Sequence, residues 1–209
     1  MWRDLIHGRM GTQEATETFF MHPRLQELTT YLDAQRAAVL AASATVPTDR
    51  WMEKPSESAW SVSEVLEHLR KSEEGVVRLI FKLGKQARAT GARSETETSS
   101  VLGSLNGFLG GRGVIDRTVR REAPEMVRPG PVEPQQVVDG LNRTRDDLYK
   151  AIALVDGIAL GDLHWIHPAL GDLNLYQYIL FVGQHEARHA MQLEEIGHAL
   201  TTGAPGAGA

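Results

Sequence analysis

Two histidines near the C-terminus are the residues whose type and spacing most directly suggest a chemical function. His185 and His189 are four residues apart, so in a helix their side chains lie one turn apart on the same face. Two neutral imidazoles at this separation suit adjacent positions around a tetrahedral or octahedral metal ion. Such a pair also arises by chance in a chain with eight histidines. A third ligand is therefore needed before a metal site is indicated.

His68 is the candidate for that third ligand. It shares one face of a second predicted helix with Ser72 and Leu79, at the edge of an apolar stripe. A lone histidine at the edge of a core is usually a structural residue. Next to the pair of His185 and His189, however, it supplies the member that a three-histidine site lacks.

Four segments carry apolar residues at helical spacing, and these are expected to form the scaffold. They are residues 22–44, residues 62–89, residues 134–155 and a last segment that has no proline between Asp172 and Leu200. We find neither a strand-like alternation nor an internal repeat. The pattern predicts an all-α fold, an antiparallel four-helix bundle with a long crossover between helices 2 and 3.

Several residues mark where these helices begin. Pro23 and Pro134 fall in first turns, where the missing amide hydrogen is of no consequence. Ser61 is followed three residues later by Glu64, the spacing of a capping box. The second helix is therefore expected to start directly after Ser61.

The domain organisation expected from composition is simple. Residues 1–21 are an N-terminal extension, residues 22–200 are the bundle domain, and residues 201–209 are a flexible tail rich in glycine, alanine and proline. The crossover at residues 90–133 is rich in glycine and serine, and residues 101–109 suggest a short helix within it. Connections of this length inside one domain are usually functional or mobile, so the crossover is expected to wall a pocket or to act as a spacer.

The overall composition excludes several classes of function. The net charge of −5 argues against binding to nucleic acid or to an anionic membrane. The chain has no apolar run of membrane-spanning length and no secretory signal pattern, so a cytoplasmic protein is expected. Cysteine is absent, which excludes disulfides, cysteine-bound zinc and a cysteine nucleophile. Thiol chemistry would need a thiol from outside the chain.

Two stretches of the sequence resemble the signatures of a known family. Residues 60–69 are similar to the Trp-x-x-x-Glu-x-Leu-x-His-Leu signature of the DinB/YfiT-like superfamily, with Trp60, Glu64 and His68 at its marked positions. Residues 167–171, together with the His-x-x-x-His-x-x-Gln pattern at residues 185–192, resemble the second signature of that family. The match runs in order from about residue 22 to residue 200.

The resemblance implies a four-helix bundle that binds a divalent metal, commonly zinc or nickel, through three histidines. Carried over to this chain, the ligands are His68, His185 and His189. Relatives include metal-dependent transferases and isomerases that use small thiols such as mycothiol, bacillithiol or glutathione. A small-molecule substrate, a thiol cosubstrate and a homodimer are expected on the same grounds.

Other residues are candidates for supporting roles. Gln192 and Glu64 lie one turn from His189 and His68 and could orient these imidazoles. His167 is held extended by Pro168 and could line the site or fix its turn.

Two alternatives to a thiol-dependent enzyme stay open. One is a metal-dependent hydrolase, although the obvious carboxylate base, Glu186, points about 100° away from His185 around a helix. The other is a non-catalytic protein whose metal serves structure or interaction.

Overall fold

The computed structural model describes residues 21–103, 113–119 and 122–203. It confirms the predicted all-α four-helix bundle. The four long helices are α1 (Pro23–Ser43), α2 (Val62–Thr90), α3 (Pro134–Leu154) and α4 (Leu175–Thr202). The expected N-terminal extension and C-terminal tail lie almost entirely outside the described residues, as does most of the expected short helix at residues 101–109. None of the described helices combines the length and apolar composition needed to cross a membrane.

The helix ends follow from local sequence. Ser61 Oγ accepts a hydrogen bond from the Glu64 amide, and a Glu64 carboxylate oxygen accepts one from the Ser61 amide, as the capping box predicts. A second capping box joins Asn174 and Gln177 at the start of α4. At the end of α2, Gly91 adopts a φ of 69°, a left-handed conformation that glycine adopts without strain.

The direction of the helices follows from which residues share a core. One half of the apolar core contains the starts of α1 and α4 with the ends of α2 and α3, and the other half contains the opposite ends. Helices α1 and α4 therefore run one way, and α2 and α3 run the other way. The crossover between α2 and α3 carries the chain back along the bundle, which is why it has to be long.

A layer of four charged side chains, one from each helix, separates the two halves of the core. We call it the charged layer, and its members are Arg36, Glu73, Arg145 and Glu186. Each follows an apolar core residue by four positions on its own helix and precedes another by three or four. All four are less than 9% exposed.

The members of the charged layer neutralise one another. Arg145 donates from Nε to a Glu73 carboxylate oxygen at 2.7 Å and from Nη2 to both Glu186 oxygens at 2.9 and 3.0 Å. Arg36 donates from Nε to Glu186 at 2.6 Å and from Nη2 to Glu73. Each arginine also donates from Nη1 to a backbone carbonyl, Arg36 to Leu141 and Arg145 to Leu32. Buried charges are tolerated when they are paired and hydrogen-bonded in this way.

A short β-hairpin before α4 was not predicted. Strand β1 (His164–His167) pairs antiparallel with β2 (Gly171–Asn174), and Gly171 at the turn has a φ of 75°. The strands have four residues each, and most of their side chains are exposed. They are too short for an alternating pattern to be visible in the sequence.

Candidate metal centre

Three histidines from two helices converge inside the bundle. The Nε2 atom of His185 lies 3.1 Å from Nε2 of His68 and 3.0 Å from Nε2 of His189. His68 comes from α2, whereas His185 and His189 come from successive turns of α4. The side-chain donor atoms of all three lie within 4.8 Å of one another, and within the described residues no fourth histidine or carboxylate joins the group. We call these residues the histidine cluster.

Two of the imidazoles are held by hydrogen bonds on their far side. His68 Nδ1 lies 2.8 Å from the backbone carbonyl oxygen of Val127, and a carbonyl can accept but never donate. The proton of His68 is therefore on Nδ1, and the Nε2 lone pair faces the cluster. His189 Nδ1 donates in the same way to Gln192 Oε1 at 2.7 Å. Such partners fix the tautomer and the ring orientation of metal-binding histidines.

A cation bound between the three imidazoles would best account for the two short contacts that Nε2 of His185 makes with the other Nε2 atoms. A neutral His185 carries at most one proton on Nε2, so it can donate to His68 or to His189 but not to both. One of the two short contacts then brings two lone pairs together. A metal ion that accepts all three lone pairs removes this conflict.

The environment keeps the imidazoles neutral, which is the form that binds metal. Burial, together with the neighbouring imidazoles, holds the pKa of His185 and of His189 well below the usual value. Burial also lowers the pKa of His68, although the hydrogen bond to Val127 opposes this shift. Near neutral pH all three are therefore available as ligands.

Glu64 does not take the orienting role expected for it. Its carboxylate accepts from the Ser61 amide and pairs with Lys54 at 2.8 Å, so it serves the start of α2. The partner of His68 is instead the carbonyl of Val127 on the crossover. The second candidate, Gln192, does contact its histidine.

Two aromatic rings flank the cluster. The ring of Phe181, one turn before His185 on α4, stacks on it with a centroid distance of 5.2 Å. The ring of Trp60 lies 5.0 Å from that of His68 and 6.4 Å from that of His189. These rings limit how many sides of the cluster water can reach.

A cavity of about 500 Å³ opens at the histidine cluster. Its described walls come from four parts of the chain: α2, the crossover, the β-hairpin and α4. Representative lining residues are Gly75, Leu79, Met126, Val127, Ile166 and Phe181. The crossover therefore walls a pocket, one of the two roles expected for it.

His167 both lines the cavity and fixes its turn. Its ring packs against Phe181 at a centroid distance of 4.8 Å. Its Nδ1 atom accepts hydrogen bonds from the amides of Ala169 and Leu170 at 3.1 and 3.2 Å. His167 therefore lies between the cavity and the turn that follows it in the chain.

The sequence does not directly predict the charged layer, but it contains a signal for it. Arg36 and Glu186 fall on the apolar rows of their helices, and Glu73 lies between Leu69 and Val76 on the core face. Arg145 occupies the same kind of position in α3. Glu186 is therefore committed to the charged layer, in keeping with its expected direction away from the histidines.

Comparison with known proteins agrees with this fold. The sequence model of the DinB superfamily matches residues 14–193. The uncharacterized protein YuaE of Bacillus subtilis (strain 168) is 29% identical over 148 residues, covering 69% of this chain and 81% of that protein. The crystal structure of TT2238, a four-helix bundle protein, superposes with a TM-score of 0.53 at 21% identity, covering 81% of this chain and 97% of the other. At that identity the likeness to TT2238 supports the fold alone.

Proposed function

The chain belongs to the DinB superfamily, and from this premise we propose that His68, His185 and His189 bind one divalent metal ion, zinc or nickel. The observation that carries the proposal is that Nε2 of His185 lies within 3.1 Å of Nε2 of both His68 and His189, at the base of a cavity. The carbonyl of Val127 and the amide oxygen of Gln192 support it, because they direct two of the lone pairs inward.

We propose further that the site is catalytic. Three protein ligands leave a coordination position for water or substrate, which distinguishes catalytic from structural centres. When bound there, a divalent ion can lower the pKa of a water molecule or hold a small thiol as its thiolate. The cavity has the volume of a small-molecule site.

The reaction class that we favour is transfer to, or isomerisation of, a small electrophile with a low-molecular-weight thiol as cosubstrate. The chain has no cysteine, so the thiol has to enter through the cavity. Val127 and Gln192 would hold the imidazoles in place during the reaction. Phe181 and Trp60 would keep bulk water from the reacting groups. A hydrolase is less well supported, because the carboxylate of Glu186 is held by Arg36 and Arg145.

The metal site is tested by elemental analysis of the purified full-length chain. We expect about one zinc or nickel ion per chain in the wild type and loss of that metal in His185→Ala, since two imidazoles bind far more weakly than three. His198→Ala is the matched control, because His198 is exposed on the same helix outside the cluster. Full metal occupancy in His185→Ala would contradict the proposal.

The reaction class is tested separately, with the metal-loaded chain. Glutathione, bacillithiol and mycothiol are each offered with the electrophile 1-chloro-2,4-dinitrobenzene, and thioether formation is followed by absorbance. We expect one thiol to be used and the rate to vanish in His185→Ala. Metal binding without turnover of any thiol would keep the site and reject this reaction class.

A further inference from the structure

Gly75 is a glycine inside a helix that packing does not explain. Glycine weakens a helix relative to alanine because it has more freedom to lose on folding. At the other glycines of the four long helices, an added Cβ would lie within 2.6 Å of a neighbouring side chain. These are Gly84 against Val155, Gly140 against Arg70, Gly183 against Tyr31 and Gly197 against Thr45. At Gly75, apart from the neighbouring residues and backbone of its own helix, no atom of the described residues lies within 4 Å of the Cβ position.

The open space beside Gly75 belongs to the cavity of the histidine cluster. Gly75 follows His68 by seven residues on α2, so the two lie on one face, about 10 Å apart along the helix axis. Ser72 lies between them and also lines the cavity. A molecule held at the histidines and extending along α2 would therefore pass over Gly75.

Much of the cavity wall is apolar, although charged side chains such as Arg117 and Glu122 also line it. Val76 and Leu79 come from α2, and Phe181 comes from α4. At the rim, Met126 is 80% exposed and Ile166 is 74% exposed. Large apolar side chains that are exposed together around a cavity indicate a binding surface for an apolar group.

We propose that Gly75 is a specificity-determining residue that admits the apolar tail of an elongated small molecule. The polar head of this molecule faces the histidine cluster, and its alkyl or aryl tail lies along α2 over Gly75. This inference rests on the proposed function, because the head group is placed at the metal site. It adds the substrate class: a molecule with a metal-binding head and a tail long enough to reach two helical turns away.

The test uses alkyl hydroxamates as probes, because their head group binds divalent metals and their tail length can be varied. The full-length chain is loaded with cobalt(II), and acetohydroxamate, hexanohydroxamate and octanohydroxamate are titrated by visible absorption. In the wild type, we expect affinity to rise about fourfold for each methylene that enters the cavity. In Gly75→Leu, octanohydroxamate should bind about tenfold or more weakly, while acetohydroxamate binding stays at the wild-type level.

Two further variants separate specificity from folding. Gly75→Ala should raise the melting temperature, because alanine favours the helix, and should reduce octanohydroxamate affinity less than leucine does. Gly84→Ala, on the same helix, should lower the melting temperature, because its Cβ would meet Val155 at 2.5 Å. Its dependence on tail length should match that of the wild type.

Each outcome of the titration decides a different point. Wild-type affinity of Gly75→Leu for octanohydroxamate would overturn the inference, and so would an equal loss for the short and long probes. A wild-type chain that takes up no cobalt would overturn both the inference and the proposed function. Cobalt uptake with no dependence on tail length would overturn the inference alone.

Discussion

At the scale of single residues, the atoms that orient the histidine cluster are a backbone carbonyl and an amide side chain. Val127 holds His68 and Gln192 holds His189, each through Nδ1. Both acceptors lie outside the set of potential metal ligands. Their effect on metal binding is therefore indirect, through the direction in which each Nε2 lone pair points.

We predict that Gln192→Leu lowers metal affinity about 10- to 100-fold. Leucine has a similar volume but cannot accept the proton of His189 Nδ1, so the ring loses its fixed tautomer. Gln192→Glu keeps an oxygen acceptor and should retain most of the affinity. Competition with a chromophoric chelator measures both, and Glu194→Leu, at an exposed position of the same helix, is the control. Wild-type affinity in Gln192→Leu would show that the hydrogen bond does not orient a ligand.

The residues of the site differ in how far the sequence could reveal them. The spacing of His185 and His189 showed that they share a face, and the apolar stripe beside His68 placed it near the core. The role of Val127 could not be predicted, because a carbonyl oxygen is common to every residue type and Val127 is 59 positions from His68. The sequence also could not decide between two uses of Glu64, since capping and orienting need the same side chain.

At the scale of elements, two carboxylates fasten the beginning of the crossover to the bundle. Glu27 on α1 accepts hydrogen bonds from Ser100 Oγ and the amides of Val101 and Leu102. Glu95 accepts from the hydroxyl of Tyr176 on α4 at 2.7 Å. Burial would raise the pKa of each carboxyl, but the hydrogen bonds, together with the charge of Arg24, lower it below its usual value.

These lowered pKa values predict a pH dependence of stability. A carboxyl whose pKa is lower in the folded chain stabilises the fold above its unfolded pKa of about 4.3, and this contribution is lost as pH falls through the folded value. We expect Glu95→Gln to lower the free energy of unfolding at pH 7 by about 1.5–3 kcal/mol. The difference from the wild type should shrink below pH ~4.3. Urea unfolding at several pH values measures this.

The control for this prediction is Glu97→Gln, since the Glu97 side chain is 66% exposed. It should change stability little at any pH. A Glu95→Gln variant whose deficit stays constant from pH 7 to pH 3 would contradict the ionic origin of the effect.

The elements also differ in how well the sequence predicted them. Long amphipathic segments with proline or a capping box at the start gave the helices nearly to the residue, as the observed starts at Pro23, Val62 and Pro134 show. The β-hairpin had no comparable pattern, because its strands have four residues each and are held by the turn at Gly171 and by pairing with each other.

At the scale of the whole molecule, the charged layer ties all four helices together at one level. Each apolar half of the core could tolerate a shift of one helix along another, since apolar contacts are not directional. The guanidinium and carboxylate groups, in contrast, can pair only when the helices have one particular position relative to one another along the bundle axis. We infer that the charged layer fixes the position of α2 relative to α4, and that this brings His68 next to the other two histidines.

We predict that Arg145→Met lowers the free energy of unfolding by about 3–5 kcal/mol. The buried carboxylates of Glu73 and Glu186 then keep only one of the two arginines that neutralise them. The matched control on α3 is Lys150→Met. Lys150 is 69% exposed and pairs with Asp147, so its loss should change stability by no more than about 1 kcal/mol. Chemical denaturation measures both variants.

Replacing all four members of the charged layer with apolar residues of similar volume should restore much of the lost stability, because no charge then stays buried. If Arg145→Met were no more harmful than Lys150→Met, the layer would not contribute to the fold in the way that its contacts indicate.

The parallel run of α2 and α3 restricts which shorter chains could keep this site. The end of α2 and the start of α3 lie on opposite sides of the charged layer. The distance between these two helix ends along the bundle axis is about 42 Å. An extended linker needs about a dozen residues to bridge that distance. A tight turn in place of residues 91–133 would therefore force α3 to reverse. Arg145 would then lie on a helix that runs in the opposite direction, and the Val127 carbonyl that orients His68 would be deleted. Any minimal version of this protein has to keep a connection of bundle length.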